Sequence, residues 1–218
     1  MGTGVDGAPK ALWNTEVSHD QFMAPSFAAM VVGSAAETTT SERRDATWRA
    51  MSKIKLAKYG TVSVMDFGAG NASTGGMPGP DDFGRSRLVR TVGSLLNNPW
   101  EPVVIEGIET TMRVTFEREV STLRSAKVME PQIDAGQPVR IRLDLQPFQG
   151  KVETRIIEVK VPPEMAGREI DIDLVPGYEV ERALPTPDSV AELVSNLPNL
   201  TFDPESLVAT FRLSTKES

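Results

Sequence analysis

The chain has no cysteine, which excludes disulfides, thiolate metal sites and a cysteine nucleophile. It has one histidine, His19, so a histidine-rich metal centre cannot form within one chain. No run of 18 apolar residues occurs, and therefore no membrane-spanning helix is expected. The apolar-rich stretch from Phe22 to Ala36 is broken by Pro25 and Gly33 and lacks a basic leader, unlike a signal peptide. Basic excess is missing as well. Residues 1–100 hold 10 Lys and Arg against 9 Asp and Glu, whereas residues 101–218 hold 13 against 21. Phosphate binding needs clustered cations, so this acidic balance argues against a nucleic-acid partner.

What remains is enough for a packed core: 218 residues, 39% of them hydrophobic and 24% charged. The length allows one large domain or two small ones. Residues 1–10 are rich in glycine and small residues and read as a flexible leader. Ala11 to Ser18 has a short strand pattern, with Trp13, Thr15 and Val17 alternating against Asn14 and Glu16. Ser18 or Asp20 would cap a helix running to about Ala36, and Pro25 is tolerated near its start.

From Thr47 the period changes to two. Trp48, Ala50, Ile54 and Leu56 fall on one side, with Arg49, Lys53 and Lys55 on the other. Val62 and Val64 resume the apolar face after Tyr59-Gly60, predicting a long strand or a hairpin. Six glycines and two prolines between Gly68 and Gly84 predict a mobile loop. Leu88, Val92, Leu95 and Leu96 then make a helical stripe within Arg85 to Asn97, stopped by Asn97-Asn98-Pro99.

The second half alternates as strands. Ile108 to Phe116, Val139 to Leu145, Arg155 to Val161 and Ile170 to Leu174 are separated by short turns. This spacing predicts an immunoglobulin-like β-sandwich over residues 101–177. A linker with Pro185 and Pro187, a short helix from Val190 to Leu197 and a strand from Leu207 to Leu213 complete residues 178–218, which are expected to return to the first region. The fold class expected is α+β: the sandwich joined to a smaller strand/helix domain over residues 11–100.

Several groups carry candidate chemistry, each with a plain structural alternative. His19 and Asp20 have the look of a base and its orienter, but they equally suit a helix start. Glu169, Asp171 and Asp173 share one strand face and could hold Ca²⁺ if loops added carbonyl oxygens; interleaved Ile170, Ile172 and Leu174 explain them as the wet side of a strand. Asp81-Asp82 is a similar case. Gly68, Gly70, Gly75 and Gly76 match neither phosphate-loop pattern. Lys53, Lys55 and Lys58 are the main basic concentration. Lys53 and Lys55 read as a solvated strand face, with an acidic or phosphate partner as the sharper alternative. Trp48 belongs to the core pattern, whereas Trp13 and Trp100 could meet a sugar or a protein, with core or junction packing as the plain alternative. The expected interaction surface is thus Trp13, Trp100, Lys53 and Lys55, with no catalytic residue, metal or cofactor.

LLNNPWEPVVIEGIE at 95–109, IDAGQPVRIRLDLQPFQG at 133–150, VPPEMAGREIDIDLVPG at 161–177 and DPESLVATFRL at 203–213 resemble the C-terminal region of proteins related to SpoIVB-type serine peptidases, as found in myxobacteria and relatives. APSFAAMVVGSA at 24–35 resembles the stretch that follows the peptidase domain there. The Gly-x-Ser-Gly-Ser-Pro nucleophile segment of those peptidases is missing, and His19 lies in no matching motif. The resemblance therefore implies the non-peptidase part of a larger, extracytoplasmic protein, carrying no catalytic residue. The function expected is a structural or protein-interaction module, with a carbohydrate- or cell-wall-binding module as the alternative and a hydrolase fragment using His19 as the weakest reading. A protein partner is expected, and an open sandwich edge would also permit a homo-oligomer.

Overall fold

The computed structural model describes residues 11–39, 44–70, 78–130, 132–134 and 136–213. The leader at 1–10, with Gly75 and Gly76, lies outside them. The fold is mixed α/β, with three small antiparallel sheets. It divides into two units: residues 1–118 with 182–201, and residues 119–181 with 202–218.

In the first unit, helix α1 spans Ala24–Thr39, and strands β1 and β2 span Ala46–Leu56 and Gly60–Gly70. Helices α2 (Pro80–Gly84) and α3 (Arg87–Leu96) follow, then strand β3 (Ile105–Thr115). The strand order is β2-β1-β3, so β1 is central. The alternation read from sequence determines the burial of β1: Trp48, Ala50, Ser52, Ile54 and Leu56 are buried, while Met51, Lys53 and Lys55 are exposed. Every helix of this unit packs on the buried side. Ala28 of α1, Leu88, Val92 and Leu95 of α3, and Val190 and Leu197 from a later segment close over Ile54, Leu56, Val62 and Val64. Ala29 and Phe83 close over Trp48 and Ala50.

Two glycines permit this closeness. A Cβ on Gly68 would stand 2.4 Å from Trp48 Cζ2, so glycine lets the indole lie across β2 and meet Phe83 at 5.3 Å between ring centroids. On Gly33 it would stand 2.4 Å from the Pro80 nitrogen, where α1 crosses the start of α2. Gly68 and Gly70 therefore belong to a paired strand, and the expected loop at 68–84 is shortened by β2 and α2. On the covered face, buried Ser52 meets its polar need at Thr110, 2.9 Å away across the strands.

Helix α3 is fixed to the sheet by a carboxylate. Asp66, just past the middle of β2, accepts hydrogen bonds from the Arg87 and Leu88 amides at 2.6 and 3.2 Å. Ser86 caps the same turn by accepting from the Val89 amide. These amides have no carbonyl partner within the helix, so a strand side chain satisfies them. Burial pushes the Asp66 carboxyl above its ordinary value of 3.8, against the pull of the two amides and of the Arg87 and Arg90 charges.

The second unit has strands β4 (Ser121–Val128), β5 (Pro138–Pro147), β6 (Glu153–Lys160), β7 (Ile170–Pro176) and β8 (Leu207–Leu213). They form a three-stranded sheet, β4-β5-β6, and a two-stranded ribbon, β7-β8. The core is thin: Val139, Ile141 and Leu143 of β5 are fully buried, with Ile157, Val159, Ile172 and Leu174 packed around them. Helix α4 (Val190–Asn196), capped by Ser189, leaves this part of the sequence and packs in the first unit.

Four expectations need correction. Residues 11–18 form no strand; the segment pairs with none of the described strands, and its side chains are exposed. The strand around Ile108–Phe116 was expected in the sandwich but pairs with β1, because its alternation places Ile108, Thr110, Met112 and Val114 opposite Ile54, Ser52, Ala50 and Trp48. The terminal strand pairs with β7 instead of returning to the first region, with Phe211 opposite Ile172 and Ala209 opposite Leu174. Strand β4 was unforeseen, since only Leu123 of its residues is even half-buried.

The Asp66 clamp yields the first prediction. Asp66→Ala should cost about 2–4 kcal/mol by stranding two helix amides, read by urea unfolding. Because the folded carboxyl titrates above its unfolded value, its contribution is complete below that unfolded value and is lost in part as pH rises through the raised one. The advantage of the wild type over Asp66→Asn should therefore shrink from acid to neutral pH; a constant advantage would contradict the raised value.

Candidate interaction surface

The outer face of the β2-β1-β3 sheet follows from register. Phe67, Arg49 and Arg113 form one row across the three strands. Met65, Met51 and Thr111 form the next, then Ser63, Lys53 and Glu109, then Thr61, Lys55 and Gly107. Side chains directly opposite on neighbouring antiparallel strands have Cβ atoms about 5 Å apart, so each row is a contiguous strip. Met51 is 39% exposed at the middle of the central strand. The Arg49 guanidinium stands 5.5 Å from the Phe67 ring centroid, a cation–π contact. Lys55 Nζ reaches Glu106 at 2.7 Å, and both groups are well exposed.

Lys53 and Lys55 thus sit together on an open face. Trp13, 54% exposed, lies on the irregular segment before α1, and Trp100, 40% exposed, lies in the loop after α3. Sequence reasoning placed Arg49 on this face with Lys53 and Lys55 but missed Met51, Met65, Phe67 and Arg113. The alternation that singled out Lys53 and Lys55 already placed Arg49 and Met51 beside them. Met65, Phe67 and Arg113 needed the pairing register, which one strand's pattern does not contain.

The loop bearing Trp100 is tied to the β1–β2 turn. Asn98 Oδ1 accepts from the Trp100 and Glu101 amides, at 3.0 and 3.1 Å. Glu101 in turn accepts from the Tyr59 hydroxyl and from Lys58 Nζ, the latter at 2.9 Å. The Tyr59 hydroxyl first, and Lys58 second, hold the Glu101 carboxyl below its ordinary value; the bond to Glu101 raises Lys58. Lys58, grouped with Lys53 and Lys55 by sequence, is engaged in this tie.

The other candidates have structural employment. His19 Nε2 accepts the Ile105 amide at 3.2 Å, which occupies the lone pair that a general base would use. Asp20 Oδ1 accepts from the Phe22 and Met23 amides before α1 and does not orient the imidazole. Asp82 accepts the Gly79 amide at the start of α2. Asp173 pairs with Arg212 at 3.2 Å, and Asp171 lies opposite Arg212 in register. Among the described residues, no group of three His, Cys, Asp or Glu side chains could hold a metal ion, and no helix is long and apolar enough to cross a membrane.

Scans of known family models, curated proteins and solved structures return no match to this chain. The peptidase-related resemblance therefore enters the functional reading as a proposal.

The Tyr59–Glu101 tie makes the second prediction. In Tyr59→Phe the Glu101 midpoint, followed by carboxyl NMR, should move up toward the ordinary glutamate value of 4.5. An unmoved midpoint would remove the hydroxyl as the main cause.

Proposed function

We propose that this chain is a non-catalytic structural or protein-interaction module of an extracytoplasmic bacterial protein. The observation that carries the reading is the open face of the first unit. Its central strand presents Arg49, Met51, Lys53 and Lys55 outward while four helices cover the opposite side. Antiparallel sheets commonly leave one face to water, but a wholly solvated face has no need of adjacent Met51 and Met65 or of an arginine stacked on Phe67. Apolar and stacking groups bordered by charge are what a protein contact uses at its centre and rim.

The second unit is best understood as a reduced immunoglobulin-like sandwich, whose three-stranded sheet and ribbon share one thin core. Such units serve as spacers and present edges and end loops. The extracytoplasmic setting is supported by the resemblance of residues 95–213 to the peptidase-related proteins. The engagement of His19 and Asp20 by backbone amides supports a non-catalytic role. A carbohydrate- or cell-wall-binding module is the second reading, favoured by the exposed indoles of Trp13 and Trp100.

The test is a pull-down from an envelope extract of the source cells, with parallel sedimentation on peptidoglycan and polysaccharide. The wild-type chain should retain a defined protein that Met51→Asp/Lys53→Glu does not. Glycan sedimentation abolished by Trp13→Ala or Trp100→Ala, without protein capture, would replace this reading by the second.

A further inference from the structure

Strand β3 ends the β2-β1-β3 sheet, and among the described residues no strand pairs with its outer edge. An unpaired edge is a template for another strand, and chains commonly blunt it with lysine, proline or a bulge. From Ile108 to Val114 the sequence IETTMRV has neither lysine nor proline, and the register shift lies outside it, at Lys55/Leu56. Ile108, Glu109, Thr111 and Arg113 are exposed. Ile108 lies opposite the fully buried Ile54, yet is itself 38% exposed, so the apolar layer stops short of this edge. Neither Glu109 nor Arg113 has an ion pair among the described residues.

We propose that the partner of this edge is a second copy of the chain, joined through β3 in a two-fold antiparallel pairing that merges two three-stranded sheets into one. With Thr111 opposite its own copy, Glu109 faces Arg113 of the other chain, and by symmetry the contact occurs twice. On the helix-covered side the same register sets Ile108 opposite Val114 and Thr110 opposite Met112, which gives the exposed Ile108 an apolar neighbour. A slip of two residues, the smallest that keeps the faces matched, loses both charge pairs. The other edge strands lack this self-complementarity. β4 carries Arg124 and Lys127 without an acid, β7 carries Asp171 and Asp173 without a base, and β8 carries Arg212 alone. In β2 the one charged residue, Asp66, is committed to α3. β6 has both signs, but turned on itself about Ile156 or Ile157 it sets no acid opposite a base. The β3 pairing uses the edge of the sheet and stands apart from the docking of a partner on its open face.

The test is sedimentation velocity of the full chain over a concentration series at low and high salt. The wild type should pass from monomer to dimer, and salt should weaken the dimer. Glu109→Arg and Arg113→Glu should each raise the dissociation constant about tenfold, because two-fold symmetry makes every substitution count twice. An equimolar mixture of the two variants should restore the dimer, since each supplies the sign that the other lacks. Lys151→Glu, an equal charge change in the second unit, should leave association unchanged. Unaltered urea midpoints would place the losses in association and not in folding. Glu109→Gln/Arg113→Gln, which introduces no new charge, should also dimerise more weakly and lose the salt dependence. A wild type that stays monomeric throughout would overturn the pairing. So would variants that dimerise as well as the wild type, or a mixture no tighter than either variant alone.

Discussion

A three-stranded antiparallel sheet has two faces, and the helices of this chain cover one. That constraint organises the first unit. The covered side takes the large apolar residues of β1 and β2 and the few polar groups that find partners there. Its closeness depends on Gly68 yielding to the Trp48 indole and Gly33 yielding to the chain at Pro80. Asp66 then joins the sheet to α3 through the helix amides, so one buried carboxylate links the strand framework to the helical layer. The other side carries charge with Met51 and Met65, while its Thr47 end is itself buried.

The two units contrast in how they are held. The first has a continuous apolar core into which α4 is drawn from a distant part of the sequence. The second has a small apolar cluster, Val139, Ile141 and Leu143, and relies on ladder hydrogen bonds and half-buried neighbours. Its outer face is a self-satisfied polar ladder: Asp144 accepts from Ser125 and Thr154 on the two flanking strands, which lower its carboxyl below the ordinary value. A face so fully paired offers a partner little.

Period and capping chemistry were readable wherever the cause was local. The hairpin around Tyr59-Gly60, helix α3 with its stop at Asn97 and the alternation of β5, β7 and β8 all follow from neighbouring residues. Pairing was not readable, because register is a long-range property. Alternation in Ile108–Val114 and in Leu207–Leu213 marked both as strands but could not say which neighbour each would choose. Ala11–Ser18 shows the converse: a strand pattern that pairs with no strand here stays irregular and exposed. The same limit applied to the candidate surface, where Lys53 and Lys55 were visible along one strand and the arginine row appeared only with β3 in place.

The central claim is that the open face of the β2-β1-β3 sheet is where this protein meets its partner. Methionine footprinting tests it most directly, by mild peroxide oxidation of the free chain and of the chain bound to its captured protein. Met51 and Met30 are both exposed, at 39% and 53%, on the open face and on α1 respectively. The account predicts that binding protects Met51 and leaves Met30 reactive. Protection of Met30 with Met51 still oxidised would contradict it.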